Sequence, residues 1–449
     1  MSNYQLGPGY KAIPPEELPE GWSAQRLGDL VRVSQGGRLG MTKENNYSDQ
    51  GVAAYSAAGQ DGCVDRAEFQ NQRGVVLSAI GANCGRCFYA EGDWTTLANV
   101  QAILPAEGLD AKFLYYRTNI ENYWMRSGSA QPFIKPSSIK TNWIAFPKPP
   151  QQRRIATILS TLDEVIEATE KLVEKHQQIK AGLMHDLFTR GLWTRPELAR
   201  GDHHGLPCQA TAQEGQLRPT PEEAPGLYQE SPLGLIPKAW KLSSIGEIAE
   251  SMADGPFGSN LKTEHYVVEP GVRVVRLQNI HDTIYNDEDR AFVSESHANY
   301  LIRNQVVSGD ILVAGLGEDK HVVARACSYP HGLPPAINKA DCFRLRCDKE
   351  KALNPFVMFY LNTSIARGQV RRYEQGVTRR RINGGNLKRV FFGLPSLREQ
   401  EKAIAMLDSA GSEIDSITEQ IAKLRQQKQG LMHDLLTGRV PVAESFTSS

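Results

Sequence analysis

Residues 151–187, QQRRIATILSTLDEVIEATEKLVEKHQQIKAGLMHDL, decide how the chain is organised, because residues 399–435, EQEKAIAMLDSAGSEIDSITEQIAKLRQQKQGLMHDL, repeat them. A shift of 248 positions lays Gly182-Leu183-Met184-His185-Asp186-Leu187 on Gly430-Leu431-Met432-His433-Asp434-Leu435 without a gap. The same shift puts Gln152 on Gln400, Leu159 on Leu407, Ile166 on Ile414, Lys175 on Lys423 and Lys180 on Lys428.

Each copy carries an apolar stripe at alternating spacings of four and three. In the first it runs Ile155, Leu159, Leu162, Ile166, Thr169, Val173, His176, Leu183, Leu187; in the second, Ala403, Leu407, Ala410, Ile414, Ile417, Ile421, Leu424, Leu431, Leu435. That period is helical and lasts about five heptads, the pattern of a coiled coil. Its one break falls on Lys180 and Lys428, the same rung of both copies. At 1.5 Å per residue each helix is roughly 55 Å long, enough to hold two domains apart. A single stripe of this kind is more often the core side of a helix packed on its own domain. Two copies in register, each closing a similar unit, point instead to two helices that zip against each other.

Composition sets wide bounds. The 449 residues allow two or three full-sized domains, and 40% hydrophobic with 23% charged residues is ordinary for a soluble chain. No run of 18 apolar residues occurs and residues 1–15 lack a secretory pattern, so a cytoplasmic protein without membrane contact is expected. Seven cysteines without an export signal suggest reduced thiols. Only Cys84 and Cys87 have ligand-like spacing; Cys63, Cys327, Cys342 and Cys347 supply no second pair, so no metal is expected. Net charge is zero, but residues 367–389 hold eight basic side chains (Arg367, Arg371, Arg372, Arg379, Arg380, Arg381, Lys388, Arg389) against the one acid Glu374. A local charge of +7 suits phosphates.

The duplication extends beyond the helices. Leu18-Pro19-Glu20-Gly21-Trp22 and Leu27-Gly28-Asp29-Leu30 align with Ile236-Pro237-Lys238-Ala239-Trp240 and Ile245-Gly246-Glu247-Ile248 at an offset of 218, so the second unit is 30 residues longer. Short strands are expected at residues 74–79, 272–277 and 309–314, and helices at 113–122 and 355–367. Residues 192–235, with six prolines and no sustained period, read as a linker. The expected fold class is α+β, with two tandem mixed α/β domains, two long antiparallel coiled-coil helices and a pseudo-two-fold internal repeat. The boundaries are 1–150 for the first domain, 151–190 for the first helix and 191–235 for an acidic Pro/Gly-rich linker. The second domain is 236–396, the second helix 397–438 and the tail 439–449.

Enzyme motifs are missing. No phosphate loop, nucleophile elbow or zinc helix occurs. Asn354-Pro355-Phe356 reads as a helix start with proline in its first turn, and Gly315-Leu316-Gly317 as a turn. Groove-reading chemistry is present in residues 375–383, where Arg379, Arg380 and Arg381 can bridge guanine edges or phosphates beside Thr378 and Asn383. With Arg371, Arg372 and Lys388 these are candidate DNA contacts. The equivalent first-unit segment offers Ser129, Gln131, Lys135 and, further on, Lys140. Gly255, Phe257, Ser259 and Lys262 lie in a glycine-rich loop, Gly255-Pro256-Phe257-Gly258-Ser259-Asn260-Leu261-Lys262. Any one of these segments alone could be a solvated loop.

Pro-x-x-Trp followed by Leu/Ile-Gly-Asp/Glu, the Gly-Pro-Phe-Gly-Ser-x-Leu-Lys loop, the Pro-x-x-x-x-Gln start of a long helix and the Leu-Met-His-Asp-Leu-x-Thr ending, in a duplicated chain, resemble the specificity subunit of type I restriction-modification systems. The resemblance covers residues 18–440. It implies two target recognition domains, each reading half of a split site in double-stranded DNA, joined by antiparallel helices and without catalysis of their own. It implies as partners two methyltransferase subunits, which carry S-adenosylmethionine, and restriction/translocase subunits; no cofactor is expected in this chain. Met184, His185 and Asp186, with Met432, His433 and Asp434, are the expected partner-binding residues. The chain departs from the family pattern in its long linker and in the absence of a Gly-Pro-Phe-Gly loop from the first domain. The alternatives are a stand-alone methyltransferase or nuclease, and a coiled-coil scaffold that reads no sequence.

Overall fold

A computed structural model describes residues 18–120, 123–128, 130–200 and 213–442. The chain divides into two compact units, Met1–Leu172 with Ile417–Ser449, and Val173–Ser416. The boundary passes through both long helices, Pro149–Thr189 and Leu397–Thr437, each 41 residues. Each unit therefore contains part of both helices.

The first unit centres on an antiparallel sheet in the order Val31–Gln35, Val100–Pro105, Gly74–Ser78, Cys87–Ala90. The second repeats it as Ala249–Ala253, Cys342–Cys347, Ile311–Ala314, Ala326–Ser328. A smaller sheet accompanies each, built on a parallel pair: Val52–Ser56 with Trp94–Thr96, and Val272–Val275 with Ala336–Asn338. The opening strand also pairs with the strand before the long helix in both units, Ser23–Arg26 with Trp143–Phe146 and Lys241–Ser244 with Phe391–Leu394. One topology thus underlies both units, as the offsets in sequence imply.

Packing explains which repeated residues matter. In the first unit, Ile155, Ala156 and Leu159 share a core with Leu435, Leu436, Phe113 and Ile103; in the second, Leu187 and Phe188 share one with Ala403, Leu407, Phe356 and Tyr360. The start of either helix is thereby sealed against the end of the other. Polar contacts give the direction. In the first unit Asp163 pairs with Lys428, and Glu170 with Arg425 at 2.6 Å; in the second, His176 meets Glu413 at 3.5 Å. Residue numbers rise along one helix as they fall along the other, so the pairing within each unit is antiparallel. The break in the stripe is functional packing: the Lys428 ammonium lies 5.7 Å from the Tyr116 ring, and the Lys180 ammonium 6.0 Å from the Phe359 ring.

Gln152 and Gln400 perform one job twice. Each is fully buried. The Gln152 amide donates to the carbonyls of Pro147 (2.8 Å) and Gly108 (3.0 Å) and accepts from Asp110 N (2.8 Å). Gln400 donates to Pro395 (3.0 Å) and Lys351 (3.1 Å) and accepts from Leu353 N (2.9 Å). A buried amide satisfied by three backbone groups fixes each long helix to its domain.

Three expectations need correction. Residues 355–367 are two helices, Asn354–Leu361 and Ser364–Arg371, because Thr363 caps the second by accepting from Ala366 N. Leu316–Gly317, read as a turn, is a strand paired with Arg380–Arg381. The segment read as a linker is folded in the second unit wherever it is described. Tyr228–Ser231 and Gly234–Pro237 form a hairpin, and Arg218, 1% exposed, bridges Glu197 (2.8 Å) and Glu399 (2.7 Å). Leu192 N and Trp240 Nε1 donate to the same Glu399 carboxylate. Burial pushes the Glu399 carboxyl up against these hydrogen bonds.

Candidate nucleic-acid interface

The two segments singled out for reading DNA occupy equivalent places. Ser127 and Phe133 exchange backbone hydrogen bonds of 2.9 and 2.8 Å; Gln375 and Arg381, 248 positions on, exchange two of 2.9 Å. Each pair closes a tight loop. Gly128 has φ +83° and Gly376 φ +94°, and a Cβ at either would meet the carbonyl oxygen of Gln131 (2.7 Å) or Arg379 (2.5 Å), so only glycine turns the corner. After the loop, Ile134 N donates to Ala79 O and Ile382 N to Gly315 O, so in both units the loop is fastened just past the end of the same inner strand, Gly74–Ser78 or Ile311–Ala314. The frames match and the side chains differ.

Folding redistributes the +7 segment. Arg367 pairs with Asp282 (2.6 Å), Arg380 with Asp319 and with Glu374 (3.8 Å), and Arg381 with Asp341 (2.8 Å) while lying 5.9 Å from the Phe257 ring. Arg371, Arg372, Arg379, Lys388 and Arg389 are exposed and have no ion pair among the described residues. Three of these four acids, Asp282, Asp319 and Asp341, come from distant segments, which is why local counting overstated the charge. Thr378 is exposed beside Val377 at the loop tip. Asn383 caps the helix Gly384–Leu387 by accepting from Asn386 N (2.8 Å), a local role for a side chain expected to read bases.

The glycine-rich loop also sorts into packing and surface. Gly255 is buried, and a Cβ there would lie 1.9 Å from the Lys339 carbonyl carbon. Gly255 therefore lets backbone meet backbone and offers no contact to DNA. Phe257 is half exposed; Lys262 lies 3.6 Å from Glu264; Ser259 belongs to the turn Gly258–Asn260. In the first unit Gln131, Lys135 and Lys140 are exposed, with the Lys135 ammonium 5.8 Å from the Phe133 ring. Ser129 lies outside the described residues. Lys140 and Lys388 also back Gly28 and Gly246, whose added Cβ atoms would approach them at 2.8 and 3.2 Å. That contact accounts for the glycine of the repeated Leu/Ile-Gly-Asp/Glu motif.

Of the residues expected to bind partners, His185 is exposed, Met184 and Met432 half-buried against their cores, and Asp186 lies 3.7 Å from Arg190. His433 contacts Arg439 at 2.6 Å, and Asp434 accepts from Val440 N. Cys84 and Cys87 are buried; Cys84 donates to Ala79 O, Trp124 Nε1 donates to the Cys87 sulfur, and burial pushes the Cys87 thiol up to about 12. No group of His, Cys, Asp and Glu among the described residues is placed to hold a metal, and no described helix is long and apolar enough to cross a membrane.

Residues 19–180 match the family model of the type I restriction modification DNA specificity domain. The type I restriction enzyme MjaVIII specificity subunit of Methanocaldococcus jannaschii is 21% identical over 445 residues, covering 95% of this chain and 94% of that protein. The crystal structure of the type I restriction-modification S subunit from M. genitalium superposes with a TM-score of 0.54 at 16% identity, covering 95% and 98% of the two chains. Over nearly its whole length the chain is similar to type I specificity subunits, and its residues 19–180 match their DNA specificity domain. A second solved relative, from work on assembly and conformational transition of a type I system, matches equally well, with a TM-score of 0.54 at 15% identity over 95% of this chain. Within each unit the same local fold frames its loop.

Proposed function

We propose that each unit is a target recognition domain that reads one half of an asymmetric, bipartite site in double-stranded DNA, while the paired helices set the gap between the halves. The observation that carries this is the pair of loops closed by Ser127–Phe133 and Gln375–Arg381: one geometry, two chemistries, hence two unlike half-sites. Free cations around the second loop, Arg371, Arg372 and Arg379, supply salt-dependent affinity for phosphates, and loop side chains supply choice. The helix ends bearing Met184-His185-Asp186 and Met432-His433-Asp434 dock two methyltransferase subunits, which bring S-adenosylmethionine, and the assembly recruits restriction/translocase subunits. The test is selection from randomised duplexes by the full complex. Two different half-sites around a fixed unread gap are expected; a palindrome, or equal binding of all duplexes at matched salt, refutes the reading.

A further inference from the structure

A cavity of ≈500 Å³ opens beside the loop of the first unit, and its polar side chains are four carboxamides, Gln35, Asn99, Gln101 and Gln131, with Lys135 as the one cation. Its apolar walls are Ile80, Val100 and Phe133. Gln35, Asn99 and Gln131 are exposed at its rim, whereas Gln101 is 6% exposed, and its buried Oε1 has no hydrogen-bond partner. Leaving a buried acceptor unsatisfied is costly in a free protein, a cost that a donor from a ligand would relieve.

The second unit builds the corresponding surroundings differently. The two units reach this place with the same backbone, since Asn99 (φ 68°) and Asp341 (φ 64°) both sit in the left-handed turn that leads into the equivalent strands Val100–Pro105 and Cys342–Cys347. There Asp341 pairs with Arg381, the counterpart of Phe133, and the Gly255-Pro256-Phe257 segment packs on Lys339. The first unit has neither the ion pair nor the loop. The second unit also has a cavity beside its loop, ≈540 Å³ and lined by Leu316 and Arg379, the counterparts of Ile80 and Gln131, but its other polar walls include His281, Glu318, His321 and Arg325. What the repeats do not share is thus the carboxamide lining of the recess next to the loop.

We propose that this cavity receives the edge of an adenine in the half-site read by the first unit, with Gln101 and Gln131 as its specificity-determining residues. This rests on the function proposed above and names its chemistry. A carboxamide matches adenine in two places at once, its oxygen accepting from the N6 amino group and its NH2 donating to N7. The orphaned Gln101 Oε1 wants an amino donor, and a planar base suits flanking Ile80 and Phe133 better than a tetrahedral phosphate does. At the position equivalent to Gln131 the second unit has Arg379, a side chain that prefers guanine. The two units would therefore differ at this rung as adenine against guanine.

The test uses the full chain assembled with its methyltransferase subunits and selection from randomised duplexes. Gln101→Leu and Gln131→Ala should each lose roughly 5- to 150-fold discrimination at an A·T pair of one half-site, the range of a good base contact, leaving the other half-site and the gap unchanged. Gln131→Arg, on an exposed loop that tolerates change, should shift that position towards guanine. Folded variants that keep the parental preference at every position overturn the assignment, as does loss confined to a G·C pair. A parental complex that selects no bipartite site defeats the underlying function instead, so the two failures are distinguishable.

Discussion

Arg379, Arg380 and Arg381 are adjacent in sequence yet face different fates, which sets the first expectation. Arg371 and Arg372 share the freedom of Arg379, so Arg371→Ala or Arg372→Ala should weaken binding uniformly across sequences and reduce the salt slope by about one. Arg380→Ala, removing a side chain already held by Asp319 and Glu374, should change the slope by less than half of that; titrations of duplex at several salt concentrations decide it. The cysteines give a second expectation. Cys84, Cys87, Cys327, Cys342 and Cys347 are buried and their thiols pushed up by burial, so at pH 8 they stay protonated and shielded. Alkylation of the native chain read by mass spectrometry should label Cys63, which is half-exposed, well ahead of these five. Equal labelling would mean that the two cores are not closed. Single residues were legible in sequence where the repeat duplicated them, as with Gln152 and Gln400. They were not where a partner is remote: Asp319, Asp341 and Glu399 lie 61, 40 and 181 positions from Arg380, Arg381 and Arg218.

The long helices were the most legible elements, since a heptad stripe needs no knowledge of its partner. Less visible was the way each unit adjusts the rung at Lys180 and Lys428. In the first unit Asp163 accepts from both Lys428 and the Tyr116 hydroxyl (2.6 Å); at the matching place of the second, Gly411 faces Lys180 and Phe359 replaces the tyrosine. A Cβ on Gly411 would lie 3.0 Å from the Lys180 ammonium, the mobile end of a long side chain. Gly411→Asp should therefore stabilise the chain by about 1 kcal/mol, through lower mid-helix flexibility and a new ion pair, whereas Asp163→Ala should destabilise it by a similar amount. Denaturant midpoints at constant m-value check both. The folded linker was illegible for the opposite reason: proline and glycine erase periodicity, and its structure hangs on one buried arginine. Arg218→Met, which strands Glu197 and Glu399 without their cation, should cost roughly 3–5 kcal/mol.

At the scale of the molecule, the proposed function makes helix length the determinant of the gap between two unlike half-sites. Removing one heptad from each long helix, at matching rungs, keeps the apolar stripe in phase and shortens each rod by roughly 10 Å, which is about three base-pair steps. The direct measurement is the gap itself, selected from randomised duplexes by complexes carrying the parental or the shortened chain. The account predicts that both half-sites keep their sequences while the preferred gap contracts, or that binding is lost altogether. A shortened chain that binds as tightly and selects the parental gap would contradict it.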